Sequence, residues 1–201
     1  MLADGLGDPE RHADYGRRVA DEAARLGRVV GNVLGFTQLE RRALALAPRP
    51  GDAARAVRDS VERMRPALEH AGVPLAADIP EAAPARFDGD AVARIVQNLL
   101  DNAEKYSRGA ADRTLHIGVR SAGGAVVIEV ADRGPGVPRP LRRRLFRPFA
   151  RAGADRSEGG GPAGLGLGLA LARAQARAMG GELAYRERDG GGAVFTLSLP
   201  E

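Results

Sequence analysis

Cysteine is absent from the 201-residue chain, which excludes disulfides and thiolate metal sites. Tryptophan is absent too, and aromatic residues make up only 4%, so there is little surface on which single-stranded bases could stack. No apolar run approaches the ~20 residues that a bilayer span needs, and no signal-peptide pattern opens the chain. A domain working in the cytoplasm is expected, with any membrane anchor of an intact protein lying upstream. The chain also lacks the G-x-x-x-x-G-K-[ST] signature of P-loop proteins. Gly159, Gly161 and Gly164 formally satisfy G-x-G-x-x-G, but the preceding RAGADRSE is no apolar strand and cannot begin a dinucleotide-binding unit.

Lysine is nearly absent. Lys105 is the only one among 30 Lys and Arg residues, and its compact ammonium differs chemically from a planar guanidinium fork. The net charge is only +4 despite a pI of about 10.2. Arginines mingle with carboxylates everywhere except RRRLFRPFAR, which holds Arg142, Arg143, Arg144, Arg147 and Arg151. No nucleic-acid partner is expected from this distribution. A chain of this length can bury around 70% of its unfolded surface, enough for one core.

Hydrophobic periodicity and Gly/Pro punctuation predict a long helix over about 9–46, a boundary near 48–51, and a helix over about 52–71. Short strands follow at 75–79 and 85–88, then a helix over 89–106 and strands at 115–121 and 125–131. A glycine-led helix over about 165–179 and strands at 182–187 and 193–199 complete the order. The expected fold class is α/β, a mixed sheet covered on one face by helices. The segment 139–164 is long and poor in large apolar groups, so it could move over a site.

Three segments carry chemistry. In NLLDNAEKY, Asn98 and Asn102 stand at i and i+4 on one helix face, with Lys105 one turn on. An amide oxygen is a hard ligand suited to magnesium, which completes its octahedron with waters and phosphates. VVIEVADRGPGV is a strand that stops abruptly at Asp132, where a carboxylate can accept a hydrogen bond from an exocyclic amine such as adenine's. Gly134 and Gly136 let backbone approach a flat ring. Gly164, Gly166 and Gly168 precede an amphipathic helix, and backbone amides at a glycine-rich helix start cradle phosphate. Together they describe a pocket for ATP and a divalent metal.

These segments resemble the N, G1, F and G2 boxes of the sensor histidine kinase ATP-binding domain. That domain lies in the GHKL superfamily shared with gyrase-type topoisomerases and MutL-like ATPases. The resemblance covers roughly residues 50–200 and implies a Bergerat-type α/β sandwich preceded by the long N-terminal helix. It further implies that Asn102 coordinates magnesium, Asn98 supports metal and phosphates, Lys105 contacts phosphate, and Tyr106 lines the nucleotide site. Asp132, with Gly134 and Gly136, would read adenine. Phe146 and Phe149 match the F box, and Arg151 falls where such kinases often carry arginine. Residues 137–163 would be a mobile lid, closed by Gly164, Leu165, Gly166, Leu167 and Gly168.

One departure within the superfamily is informative. Relatives that hydrolyse ATP, and the anti-sigma-factor serine kinases, resemble one another in having glutamate four residues before the metal-binding asparagine; here that position is Asn98. An amide cannot take a proton from water, which favours transfer to another nucleophile over hydrolysis. Arg147 stands where many histidine kinases have an acidic residue.

The N-terminal helix carries an apolar stripe of Leu26, Val29, Val30, Val33 and Phe36, which must be buried against partners. It resembles the second helix of the dimerisation and histidine-phosphotransfer hairpin. Residues 1–47 would then be the C-terminal part of that hairpin and 50–201 the catalytic ATP-binding domain. The acceptor motif, a pattern like H-E-[LIF]-[RK]-x-P-L, is missing: His12, His70 and His116 do not stand in it. The expectation is therefore a fragment, or a split kinase, that does not phosphorylate itself. It would transfer the γ-phosphate of Mg-ATP to a histidine on a helix in cis or in trans. A response-regulator receiver domain would be the next partner, and the intact protein a homodimer. The competing expectations are a nucleotide-binding module without catalysis and a GHKL-type ATPase or serine kinase.

Overall fold

A computed structural model describes residues 45–150 and 166–201, together with residues 15, 16, 19, 22, 23, 26, 27, 30, 31 and 34–37 of the N-terminal segment. Those N-terminal residues are helical, in line with the periodicity. Of the expected stripe, Leu26 and Val30 are more than half exposed and Phe36 is partly buried, while Val29 and Val33 lie outside the described residues.

Among the described residues, seven strands and four helices follow. β1 spans Arg49–Asp52, α1 Ala53–His70, β2 Leu75–Asp78, β3 Pro84–Phe87, and α2 Gly89–Ser107. Then come β4 Leu115–Ala122, β5 Ala125–Ala131, α3 Arg139–Arg142, α4 Gly168–Ala178, β6 Glu182–Glu187 and β7 Ala193–Pro200. The main sheet has the order β2-β4-β5-β7-β6, with β2 parallel to β4 and every other pair antiparallel. Among the described residues no helix is long and apolar enough to cross a membrane.

Period-two alternation decides which sheet face is covered. The register aligns Ile117, Val130, Phe195 and Tyr185 in one row, and Val119, Ile128, Leu197 and Leu183 in the next. Both rows face the helices: α2 lies against β4 and β5, and α4 against β6 and β7, while α1 packs on α2. Val92, Ile95, Val96, Leu99 and Leu100 of α2 are fully buried; each such side chain contributes about 1.5–3 kcal/mol of burial. Because that stripe takes the core, Asn98, Asn102 and Lys105 are left on the half-buried flank of the same helix.

Two local outcomes differ from the sequence expectation. Residues 49–52, which Pro50 and the preceding Pro48 marked as part of a boundary, pair antiparallel with β3. Proline is tolerated there because the partner sheet has only two strands and both are edges. The glycine-led helix begins at Gly168, later than expected, because Gly166 sits in the left-handed region with φ 70° and a helix cannot run through it. The β4–β5 hairpin turns on Gly123 and Gly124, both at positive φ, as a two-residue turn requires.

Candidate nucleotide site

The site forms where α2, the end of β5 and the start of α4 meet. Asp88 caps α2, accepting the Ala91 N–H at 2.9 Å. Ten residues on, Asn98 projects toward the first turn of α4 so closely that a Cβ on Gly168 would overlap its carboxamide oxygen. The first and third chemical segments therefore touch, and only glycine fits between them. The Asn98 Nδ2 is buried and has no hydrogen-bond partner among the described residues. A buried amide donor left unpaired costs about 1–3 kcal/mol, and an anionic oxygen would satisfy it.

Lys105 and Tyr106 stand at the C-terminal end of α2, with the Lys105 ammonium 5.0 Å from the Tyr106 ring centroid. Tyr106 is about half exposed. Its carbonyl abuts Gly134, where a side chain would collide with it. That contact joins the first segment to the second. Gly136 takes φ 70°, and a Cβ there would come within 3.0 Å of the Gly192 carbonyl.

Asp132 is only 4% exposed. Its Oδ1 accepts the Gly134 N–H at 2.8 Å and the Ala193 N–H at 3.3 Å. Burial pushes its carboxyl pKa up; the two backbone N–H groups and the Arg188 guanidinium pull the other way without overcoming it. A carboxylate buried at a strand end, with its local donors gathered on Oδ1, is suited to accept a ligand amine at Oδ2.

The F-box residues separate. The Phe146 ring lies under the Arg173 guanidinium at 4.7 Å. Phe149 is 61% exposed and takes φ 61°, a conformation that costs a bulky residue about 1–3 kcal/mol. Its N–H donates to the Gly166 carbonyl at 2.9 Å, which ties the F segment to the glycine-rich one. Its ring meets Phe36 of the N-terminal helix edge to face, with centroids 5.5 Å apart. Leu167 is buried. Arg151, Gly164 and Leu165, like residues 151–163 of the expected lid, lie outside the described residues.

Three residues that the sequence reading passed over back this site. Gly192 comes so close to the Asp132 carbonyl that it admits no Cβ, the Arg188 Nη1 donates to that carbonyl at 3.2 Å, and the Tyr185 hydroxyl accepts the Val137 N–H at 3.2 Å. The run Gly190-Gly191-Gly192 between two strands was the available signal.

No cluster of three or more His, Cys, Asp or Glu able to hold a metal occurs among the described residues. A divalent ion here would use few protein oxygens, and the half-buried Asn102 amide fits the magnesium habit of one or two protein ligands plus phosphates and water.

Known proteins share this fold and sequence pattern. Residues 87–201 match the family described as Histidine kinase-, DNA gyrase B-, and HSP90-like ATPase. The chain is 30% identical over 191 residues to the alginate biosynthesis sensor protein KinB of Pseudomonas aeruginosa, covering 94% of this chain and 31% of that protein. It is 28% identical to the sensor-like histidine kinase SenX3 of Mycolicibacterium smegmatis, over 96% of this chain and 50% of the other. It thus spans about a third to a half of these relatives. Among solved structures, full-length ShkA in complex with AMPPNP superposes with TM-score 0.71 at 28% identity, over 94% of this chain and 38% of that one. The histidine kinase AdeS of Acinetobacter baumannii gives TM-score 0.71 at 21% identity, over 98% of this chain and 88% of its own, a likeness of fold. With its segments assembled as that fold requires, the chain belongs to the Histidine kinase-, DNA gyrase B- and HSP90-like ATPase family, among the sensor histidine kinases.

Proposed function

We propose that this chain binds Mg-ATP and presents the γ-phosphate to a histidine carried on a phosphotransfer helix, in cis or in trans, for relay to a response-regulator aspartate. The observation that carries this reading is the double closure of the site by missing side chains: Gly168 against Asn98 and Gly134 against the Tyr106 carbonyl. These contacts hold the Asn98, Gly134 and Gly168 segments against one another, which supports the reading. ATP binding follows from the family; magnesium, the individual residue roles, and a division into a hairpin part at 1–47 and a catalytic part at 50–201 belong to the proposal.

In this reading Asp132 accepts the adenine amine, and Gly134 and Gly136 let the turn after it close against the Tyr106 and Gly192 carbonyls beneath the base. Asn102 supplies the protein oxygen to magnesium, and the unpaired Asn98 Nδ2 donates to a phosphate oxygen. Lys105 adds positive charge one turn on. Magnesium, when bound, neutralises charge on the transferring phosphoryl group. Phe146, Phe149, Arg151 and the segment 164–168 would cover the nucleotide. Neither Asn98 nor Asn102 can act as a base toward water, since both are amides. Positioning and charge neutralisation then carry the reaction. The unit would work in the cytoplasm, and an intact protein would be a homodimer, giving the exposed Leu26 and Val30 a surface to bury against.

Magnesium-dependent calorimetry with ATP, followed by a phosphate-release assay in the same sample, tests this. Tight binding with negligible release is the expected result. Rapid release would replace kinase with ATPase, and no binding would overturn the proposal.

A further inference from the structure

Asp88 does more than cap a helix. Its Oδ1 accepts the Ala91 N–H at 2.9 Å, the ordinary N-cap bond. Its Oδ2 accepts the N–H of Ala47 at 3.0 Å, 41 residues earlier in the chain. Its own N–H reaches the Met179 Sδ at 3.3 Å, just past the end of α4. Leu46, next to Ala47, packs against the core. One residue therefore joins three segments: the link from the N-terminal helix, the start of α2, and the end of α4.

The other acidic N-cap does not do this. Asp52 caps α1 through the Ala54 N–H at 3.0 Å and also takes the Ala83 N–H at 2.9 Å, both on Oδ1 and both within the α/β unit. Asp88 divides its two oxygens between the helix and the link. The Ala47 N–H is the leading reason that its carboxyl is held below the ordinary carboxylate range, ahead of the Ala91 N–H.

We propose that Asp88 is a positioning residue: its carboxylate clamps the link at Ala47 to the first turn of α2, so the N-terminal helix departs from a point registered to the helix that bears Asn98, Asn102 and Lys105. The consequence for phosphoryl transfer rests on the function proposed above; the clamp itself does not. Releasing it lengthens the effective tether between arm and nucleotide site, and effective concentration falls roughly as the −3/2 power of tether length.

The absence of cysteine makes the test direct, because paired labels go only where they are placed. Ala45→Cys and Glu69→Cys, both at exposed positions, report the distance from the link to the end of α1. The measurement is made in a Phe36→Ala background, which removes the ring contact between arm and α/β unit at Phe149 and leaves the approach of Gly35 to Leu171 common to parent and variants. Asp88→Asn keeps an N-cap residue of equal quality but offers an amide where Ala47 needs an acceptor. Ala47→Pro removes the donor and leaves Asp88 untouched.

Both variants are expected to broaden the label-to-label distance distribution at least twofold, while Asp52→Asn does not and ATP affinity stays within twofold of the parent. Unchanged widths in both Asp88→Asn and Ala47→Pro would overturn the clamp. Failure of the parent to bind ATP would overturn the proposed function and leave the distance result to decide the clamp separately.

Discussion

The carboxamide oxygen of Asn98 occupies the space that a Cβ on residue 168 would need. Glycine there is a condition for Asn98 being where it is, so a residue on α2 and a residue opening α4 form one unit.

Gly168→Ala is expected to separate stability from binding. The obstructing atom is the end of a movable side chain, and alanine favours a helix over glycine by up to about 1 kcal/mol, so the melting temperature should change by only a few degrees. Asn98 would be displaced, however, and ATP affinity should fall about tenfold, or about 1.4 kcal/mol. A thermal melt beside calorimetry checks this; unchanged affinity would remove Asn98 from the site.

For Asp132, raised pKa means that the native state holds its proton more readily than the unfolded chain does. The buried charge is then a penalty, fully present above the raised value and relieved as the pH falls through it toward the ordinary 3.8. Asp132→Asn should raise the urea midpoint at pH 7, and the gain should shrink in acid. The same change should weaken ATP binding at least tenfold, because an amide nitrogen can face the adenine amine where a carboxylate oxygen stood. Urea titrations at pH 7 and pH 4, with calorimetry at pH 7, test both halves.

Asp52 has the opposite sign. The Ala83 N–H, foremost, holds its carboxyl below 3.8, with burial opposing; its stabilisation is present above that ordinary value and is lost as the pH falls through the lowered one. Asp52→Ala should cost about 1 kcal/mol at neutral pH. The difference from the parent should narrow in strong acid, as denaturant curves at pH 7 and pH 2 would show.

Asn102→Ala should abolish the magnesium dependence of ATP binding while leaving the metal-free affinity within about twofold, since the change removes a metal oxygen and touches no base-reading group. Binding isotherms with and without magnesium decide it. Equal loss in both would mean that Asn102 holds the nucleotide directly.

Much of this was legible in the chain. Helix α2 and its polar flank follow from the 3.6-residue period around Ile95 and Leu99, and β5 ends at Asp132 as the Gly/Pro turn after it demands. The strand at 49–52 was not legible, because Pro48 and Pro50 read as a break and its pairing with β3 lies more than thirty residues away. The Phe149 ring meets Phe36, a contact between segments over a hundred residues apart that no local pattern encodes.

By itself the sequence determined which chemical groups are on offer: two amides and an ammonium on one helix face, an amide where related ATPases carry a glutamate base, a carboxylate at a strand end, and glycines before a later helix. Local periodicity and turn chemistry suffice for that, since they act within a few residues. Only the tertiary structure decided that Gly168 meets Asn98, that Gly134 meets the Tyr106 carbonyl, that burial raises the Asp132 pKa, and that Asp88 holds Ala47. Each of these depends on close packing between distant segments, where the absence of a single Cβ or the spare oxygen of one carboxylate determines which groups can touch.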